Sequence, residues 1–300
     1  MQRSATVERP VPALEAADAA GAVPRQPGRF GLRHYLRCLR GILVRETLRY
    51  LHQRERFISS LVRPLVWLFI FAAGFRQVLG VSIVPPYRTY VLYEVYITPG
   101  LCAMILLFSG MQSSLSLVYD REMGNMRTLL VSPFPRWFLL TSKLLAGVAV
   151  AILQVYIFLA IAWFWNIRAP LAGYLLVLPA LFLGGMMLGA LGMLLSSMIR
   201  QLENFSGVMN FVIFPMYFAS SALYPLWRIQ ESSPLLHTIA AANPFTHVVE
   251  LIRFAFYGQI AWNALAVVVG CLALFLAGAI LAYDPSRGLA ARRDGVGGTA

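Results

Sequence analysis

The spacing most suggestive of chemistry is His247 and Glu250 at i and i+3, with Arg253 one turn further on and His237 upstream. On a helix this puts an imidazole and a carboxylate on one face, where they could share a metal or work as an acid–base pair. No other His or Cys lies nearby, so a wetted interfacial pair is the plainer reading. The remaining inventory is negative. The chain has one lysine, Lys143, in the context TSKLL, so it cannot contain a GxxxxGK[ST] phosphate loop for ATP. Neither HExxH nor the GxSxG elbow occurs, and Cys38, Cys102 and Cys271 are too far apart in sequence to suggest a disulfide framework or zinc site. No catalytic, cofactor or metal residue is expected in this chain.

The elements that carry these residues are set by long apolar runs. Of 300 residues, 59% are hydrophobic and only 13% charged, with a mean hydropathy of +0.68. A soluble domain is about 25% charged. The class expected is therefore an all-α polytopic membrane protein. Six segments have the length and composition of spans, at about 57–79, 96–119, 144–166, 172–198, 204–227 and 260–283. They make one transmembrane domain over 57–283. No Asp or Glu falls inside a span, since Glu94, Glu231 and Glu250 lie outside or at an edge. That argues against a self-powered carrier, which usually needs an intramembrane carboxylate.

Residues 1–29, rich in Ala, Pro and Arg, read as a disordered cytoplasmic tail, and 284–300 as a second tail. Residues 30–56 differ. Leu32, Leu36, Leu39 and Leu43 recur at helical spacing, with Arg33, Arg37, Arg40, Arg45 and Arg49 interleaved. This is an amphipathic basic helix suited to an anionic membrane surface, either as a simple anchor or also touching a partner. Lys and Arg set the orientation: 19 fall on the side of the termini and 5 on the other, Arg253 among the 5, with Arg63 left aside as a boundary case. Both termini are thus expected in the cytoplasm. The net charge of +12 reads as positive-inside charge, not as a nucleic-acid surface. Arg63, inside the first span, either snorkels to the cytoplasmic surface or belongs to a polar path.

Two interruptions remain. Residues 223–262 are apolar but broken by Pro225, Pro234, Asn243-Pro244 and Gly258. They read as re-entrant or surface helices before the last span, the alternative being an ordinary structured loop. Gly185 and Gly189 form a GxxxG flanked by Ala180, Gly184, Gly192 and Ser196, a close-packing face whose partner helix the sequence does not identify. Between the second and third spans, YDREMGNMRTLLVSPFPRWFLLTSK returns briefly to water. Met126, Leu129 and Leu130 form one apolar stripe on a short helix that Gly124 and Pro133 delimit. Such a stripe fits a groove in another protein, or the membrane surface.

Arg121-Glu122-x-Gly124 followed by Leu129-Leu130-x-x-Pro133 resembles the loop of ABC-2 type transporter permeases, which often read R-E-x-G-T. Asn125 stands here in place of the usual Thr. Asn243-Pro244 with Arg253, before the last span, is similar to the family's second hallmark. The resemblance implies a permease subunit of a bacterial exporter in the inner membrane. It implies a dimer, of this chain with itself or with a second permease, and two copies of a separate ABC ATPase that carry ATP and Mg. Arg121, Glu122, Gly124, Asn125, Met126, Leu129, Leu130 and Pro133 would form the coupling helix. The helix at 30–56 would also meet the ATPase, and the segment holding Asn243, Pro244, Glu250 and Arg253 would close the exit. The substrates implied are amphipathic, drug-like or glycan- and lipid-linked. The competing readings are a stand-alone carrier and a membrane-embedded lipid-modifying enzyme built on His237, His247, Glu250 and Arg253.

Overall fold

A computed structural model describes residues 31–52, 54–75, 85–87, 91–122, 134–199 and 201–282. The expected coupling positions Gly124, Asn125, Met126, Leu129, Leu130 and Pro133, and both tails, lie outside these residues. The described residues are helical: α1 (Leu32–His52), α2 (Arg54–Phe75), α3 (Tyr93–Glu122), α4 (Arg136–Phe164), α5 (Gly173–Leu176), α6 (Leu178–Met198), α7 (Leu202–Phe218), α8 (Leu226–Ser232), α9 (Pro234–Ala242), α10 (Pro244–Ala255) and α11 (Trp262–Ala282). The chain divides into two compact units, Met1–Cys38 and Leu39–Ala300, and the bundle described below lies in the second.

Four stretches among the described residues are long and apolar enough to cross a membrane: Tyr93–Tyr119, Trp137–Phe164, Gly173–Met198 and Trp262–Ala282. Two shorter apolar helices, Leu61–Ile70 and Gly207–Phe218, lie within α2 and α7. The chain is thus a multi-pass membrane protein. α7 closes at Phe218 instead of continuing to Trp227 because the chain turns at Ala219–Leu223. There Ser220 Oγ donates to Tyr217 O (2.6 Å) and accepts from the Ala222 amide (3.2 Å), replacing helical bonds with a local turn.

α3 is the centre of the bundle. It packs on α2, α4, α6, α7 and α10, and Tyr96, Ile97, Leu101, Cys102, Ala103, Leu106 and Leu107 are all fully buried. α6 can lie close to it because the facing residues lack side chains. A Cβ at Gly110 would come within 3.0 Å of Gly189 Cα, so the two backbones touch. The four glycines on the small-residue face of α6 meet helices of the same unit. Gly189 abuts Leu144 and Gly185 abuts Val148, both of α4; Gly192 abuts Ser114 of α3; and Gly184 abuts Val248 of α10. Helix ends follow local chemistry. After α4, Asn166 takes a left-handed φ of 61° and its amide bonds Trp163 O (3.1 Å), and Gly258 does the same service after α10 with φ +68°.

α1 carries its apolar residues in the open. Leu32, Leu36, Val44 and Leu48 are exposed beside exposed Arg33, Arg37, Arg40 and Arg45, and Arg45 also pairs with Glu46 (2.9 Å). Arg49 lies on the same helix. Arg121 and Glu122 are the last two residues of α3.

Candidate functional site

Three polar residues of the 223–262 segment, Asn243, Thr246 and Arg253, converge on one place, the turn Ala219–Leu223 that follows α7. Asn243 binds it from α10. As N-cap, its Oδ1 accepts from the Phe245 amide (3.0 Å), and Pro244 occupies the first helical position, where no N–H is needed. The Asn243 amide nitrogen points the other way, donating to Met216 O (2.8 Å) and Ala219 O (2.7 Å). These carbonyls belong to the frayed end of α7 and would otherwise lack partners. One side chain thus finishes two helices. Thr246 adds a link, donating from Oγ1 to Ala240 O (2.7 Å) and accepting from the Ser221 amide (3.3 Å).

Arg253 reaches the same turn from the far end of α10. It is 2% exposed, not the loop cation that the sequence suggested, so one outer charge leaves the orientation count. Its Nη1 donates to Glu250 Oε1, its Nη2 donates to Ser221 O (2.8 Å), and its guanidinium carbon sits 4.1 Å from the Tyr96 ring centroid. Tyr96 Oη donates to that same Ser221 carbonyl (3.2 Å), and Tyr93 Oη donates to Leu223 O (3.0 Å). Burial alone would lower the Arg253 pKa, but the Glu250 carboxylate and its hydrogen bond, together with the Tyr96 and Tyr87 side chains, carry it above its ordinary value. The side chain is therefore a fixed cation. A buried charge persists only with a counter-charge and hydrogen bonds around it, and Glu250, Ser221 O and the Tyr96 face supply them.

Packing reinforces the knot. A Cβ on Gly100 would lie 2.7 Å from Ala222 O, so α3 presses its backbone against the turn. Tyr217 contacts Phe245 (6.0 Å between centroids) and Trp67 of α2 (6.4 Å). The arrangement is one of hydrogen bonds, an ion pair and packed rings. It clamps α3, the end of α7 and α10 into one body.

Among the expected site residues, the structure brings Asn243, Pro244, Glu250 and Arg253 together. His247 is directed elsewhere: its Nε2–H donates to Ala241 O (3.1 Å) while Glu250 engages Arg253, so the two do not face a shared ligand. Among the described residues no group of three or more His, Cys, Asp or Glu side chains is placed to hold a metal. Tyr93, Tyr96 and Ser221 were not among the expected site residues. Tyr93 and Tyr96 sit at i and i+3 at the start of an apolar run, which was the one available hint.

The described residues form an all-helical multi-pass membrane protein with a buried clamp. Residues 37–257 match the family of ABC-2 type transporters, and the chain belongs to it. It is 28% identical over 228 residues to "Putative transport permease ycf38" of Cyanophora paradoxa, covering 74% of each chain. It is 32% identical over 181 residues to "Probable multidrug ABC transporter permease YbhR" of Escherichia coli, covering 58% of this chain and 48% of that one. It is 22% identical over 225 residues to "Inner membrane transport permease YadH" of the same species, covering 75% and 84%. A permease role in membrane transport follows, and the enzyme and stand-alone-carrier readings are not favoured.

Proposed function

We propose that this chain is the membrane subunit of an exporter driven by a separate ABC ATPase. ATP and Mg would be held by that partner, in two copies, against a dimer of permeases. Six spans make up the domain, with the Leu61–Ile70 and Gly207–Phe218 helices completing the set, and both termini lie in the cytoplasm of a bacterial inner membrane. The observation that carries the mechanism is the continuity of α3. It runs unbroken for 30 residues from Tyr93 to Glu122, about 45 Å at 1.5 Å per residue. One end bears Arg121 and Glu122, where the loop of the family begins; the other bears Tyr93 and Tyr96, which hold the clamp.

A push on Arg121–Pro133 therefore moves a rod whose far end is fastened to α10 and the α7–α8 turn. A packed body of this kind shifts as a unit. The stripe Met126, Leu129 and Leu130 docks in the ATPase, and the helix carrying Arg33, Arg37, Arg40, Arg45 and Arg49 lies on the membrane beside it. α8–α10, fastened through Asn243, Glu250 and Arg253, gate the exit. The substrate is an amphipathic molecule, drug-like or lipid- or glycan-linked. The name "Probable multidrug ABC transporter permease YbhR" supports the drug-like end of that range.

The test is co-purification. The tagged full chain, drawn from its native membrane, should bring down a P-loop ATPase in equal copy number. A chain that transports in liposomes with no ATPase present would overturn the proposal.

A further inference from the structure

α2 places a cation within an apolar helix. Arg63 is followed by Pro64 and flanked by Val62 and Val66, and its guanidinium carbon lies 3.9 Å from the centroid of the Phe108 ring of α3. The pocket around it, about 30 Å³, is completed by Ser109, Gln112 and Gln154. No carboxylate lies among its lining residues. This differs from Arg253, whose charge is answered by Glu250. Arg63 is exposed, and so is the stripe Ile58, Val62, Val66, Phe69 and Ile70 beside it, which recurs at i, i+4, i+8, i+11 and i+12 along one face of α2.

We propose that Arg63, with Ser109 and Gln112, binds the acidic headgroup of a membrane amphiphile, a phosphate or carboxylate, whose hydrocarbon chains lie along the Ile58–Ile70 stripe. The guanidinium supplies a forked donor matched to such oxyanions. The hydroxyl and carboxamide add neutral donors, and the Phe108 face covers the cation's other side. Basic pockets between membrane helices take anionic headgroups in this manner. An arginine in an apolar helix is costly without a counter-charge, and a bound anion removes that cost. The site rests on the membrane placement of α2 but not on coupling to an ATPase.

The test uses the full chain in detergent, with native mass spectrometry after addition of phosphatidylglycerol or phosphatidylcholine. The wild type should retain the anionic lipid about fivefold better, the effect of one cation near an anionic surface. Arg63→Gln should abolish the preference and Arg63→Lys should keep part of it. Gln112→Leu, which leaves the charge in place, should weaken it, and this variant serves if Arg63→Gln does not fold. Inorganic phosphate should compete poorly; competition as effective as that of the lipid would assign the site to a free anion and overturn the amphiphile. Equal lipid retention by Arg63→Gln would also overturn the proposal, as would a change in oligomeric state without a change in lipid retention, which would mean that a second copy covers the stripe. ATPase co-purification reads the coupling proposal separately.

Discussion

The guanidinium of Arg253 lies against the face of Tyr96, 4.1 Å from its centroid, and both side chains donate to one carbonyl, that of Ser221. A residue near the end of α10 and one near the start of α3 are thereby joined across the turn that closes α7. The bond between these elements is electrostatic and buried, so it resists sliding in a way that apolar contact alone does not.

Removing the cation should be expensive. Arg253→Met strands the Glu250 carboxylate and leaves the Ser221 carbonyl with Tyr96 as its remaining side-chain donor, and breaking a buried pair from one side costs up to about 3–5 kcal/mol. The double variant Arg253→Met/Glu250→Gln should recover part of that loss. Thermal unfolding in detergent, followed by tryptophan emission, measures both. Arg253→Lys should fall between, since an ammonium cannot make the forked contact and stack on the ring together.

Asn243 makes a prediction about chemistry at constant shape. Asn243→Asp keeps the cap acceptor for Phe245 but replaces both amide donors with a carboxylate facing Met216 O and Ala219 O. Each stranded carbonyl costs about 1–3 kcal/mol. The variant should be less stable than Asn243→Ser, which retains a cap and adds no charge. Limited proteolysis of the 223–262 segment would rank the two.

Two glycines should behave oppositely. Gly100→Ala places a methyl 2.7 Å from Ala222 O and should cost about 1–3 kcal/mol by overpacking. Gly207→Ala meets nothing within 4 Å and sits in a helix, where alanine is favoured by about 1 kcal/mol. Melting temperatures of the two variants should move in opposite directions.

Much of this fold was legible because its signals are local. The apolar runs that became α3, α4, α5–α6 and α11 need only length and composition to be seen. The Asn243-Pro244 pair announces a helix start by its own chemistry. The i, i+3 spacing of Glu250 and Arg253 was visible too, yet Glu250 was read with His247, as a wetted pair, and Arg253 as an outer-side cation. The partners that bury Arg253 are distant: Ser221 lies 32 positions away, and Tyr96 is on another helix. The GxxxG of α6 showed a close contact without its partner, since Gly110 carries no motif of its own. The end of α7 at Phe218 depends on Ser220 hydroxyl bonds that compete with an apolar run, and periodicity cannot weigh that competition.

Coupling should enter where α3 ends. Glu122→Ala and Met126→Asp should leave membrane insertion intact but separate ATP hydrolysis from export. Met126→Asp also loses the apolar contact proposed between Met126 and the ATPase, worth roughly 1.5–3 kcal/mol on full burial, so it should release the ATPase on washing. Export-dependent growth together with ATPase retention measures both effects, and wild-type export by both variants would remove the coupling role.

The most direct test of the rod mechanism follows an exposed residue of α8 while ATP acts on the complex. Glu231→Cys, in a chain with Cys38, Cys102 and Cys271 replaced by serine, is labelled from outside with an impermeant maleimide. ATP should change the labelling rate in the otherwise wild-type complex, and the change should be lost in both Met126→Asp and Tyr96→Leu, the latter with its ATPase still bound. An ATP response that survives Tyr96→Leu undiminished, or no response at all in the otherwise wild-type complex, would contradict the rod mechanism.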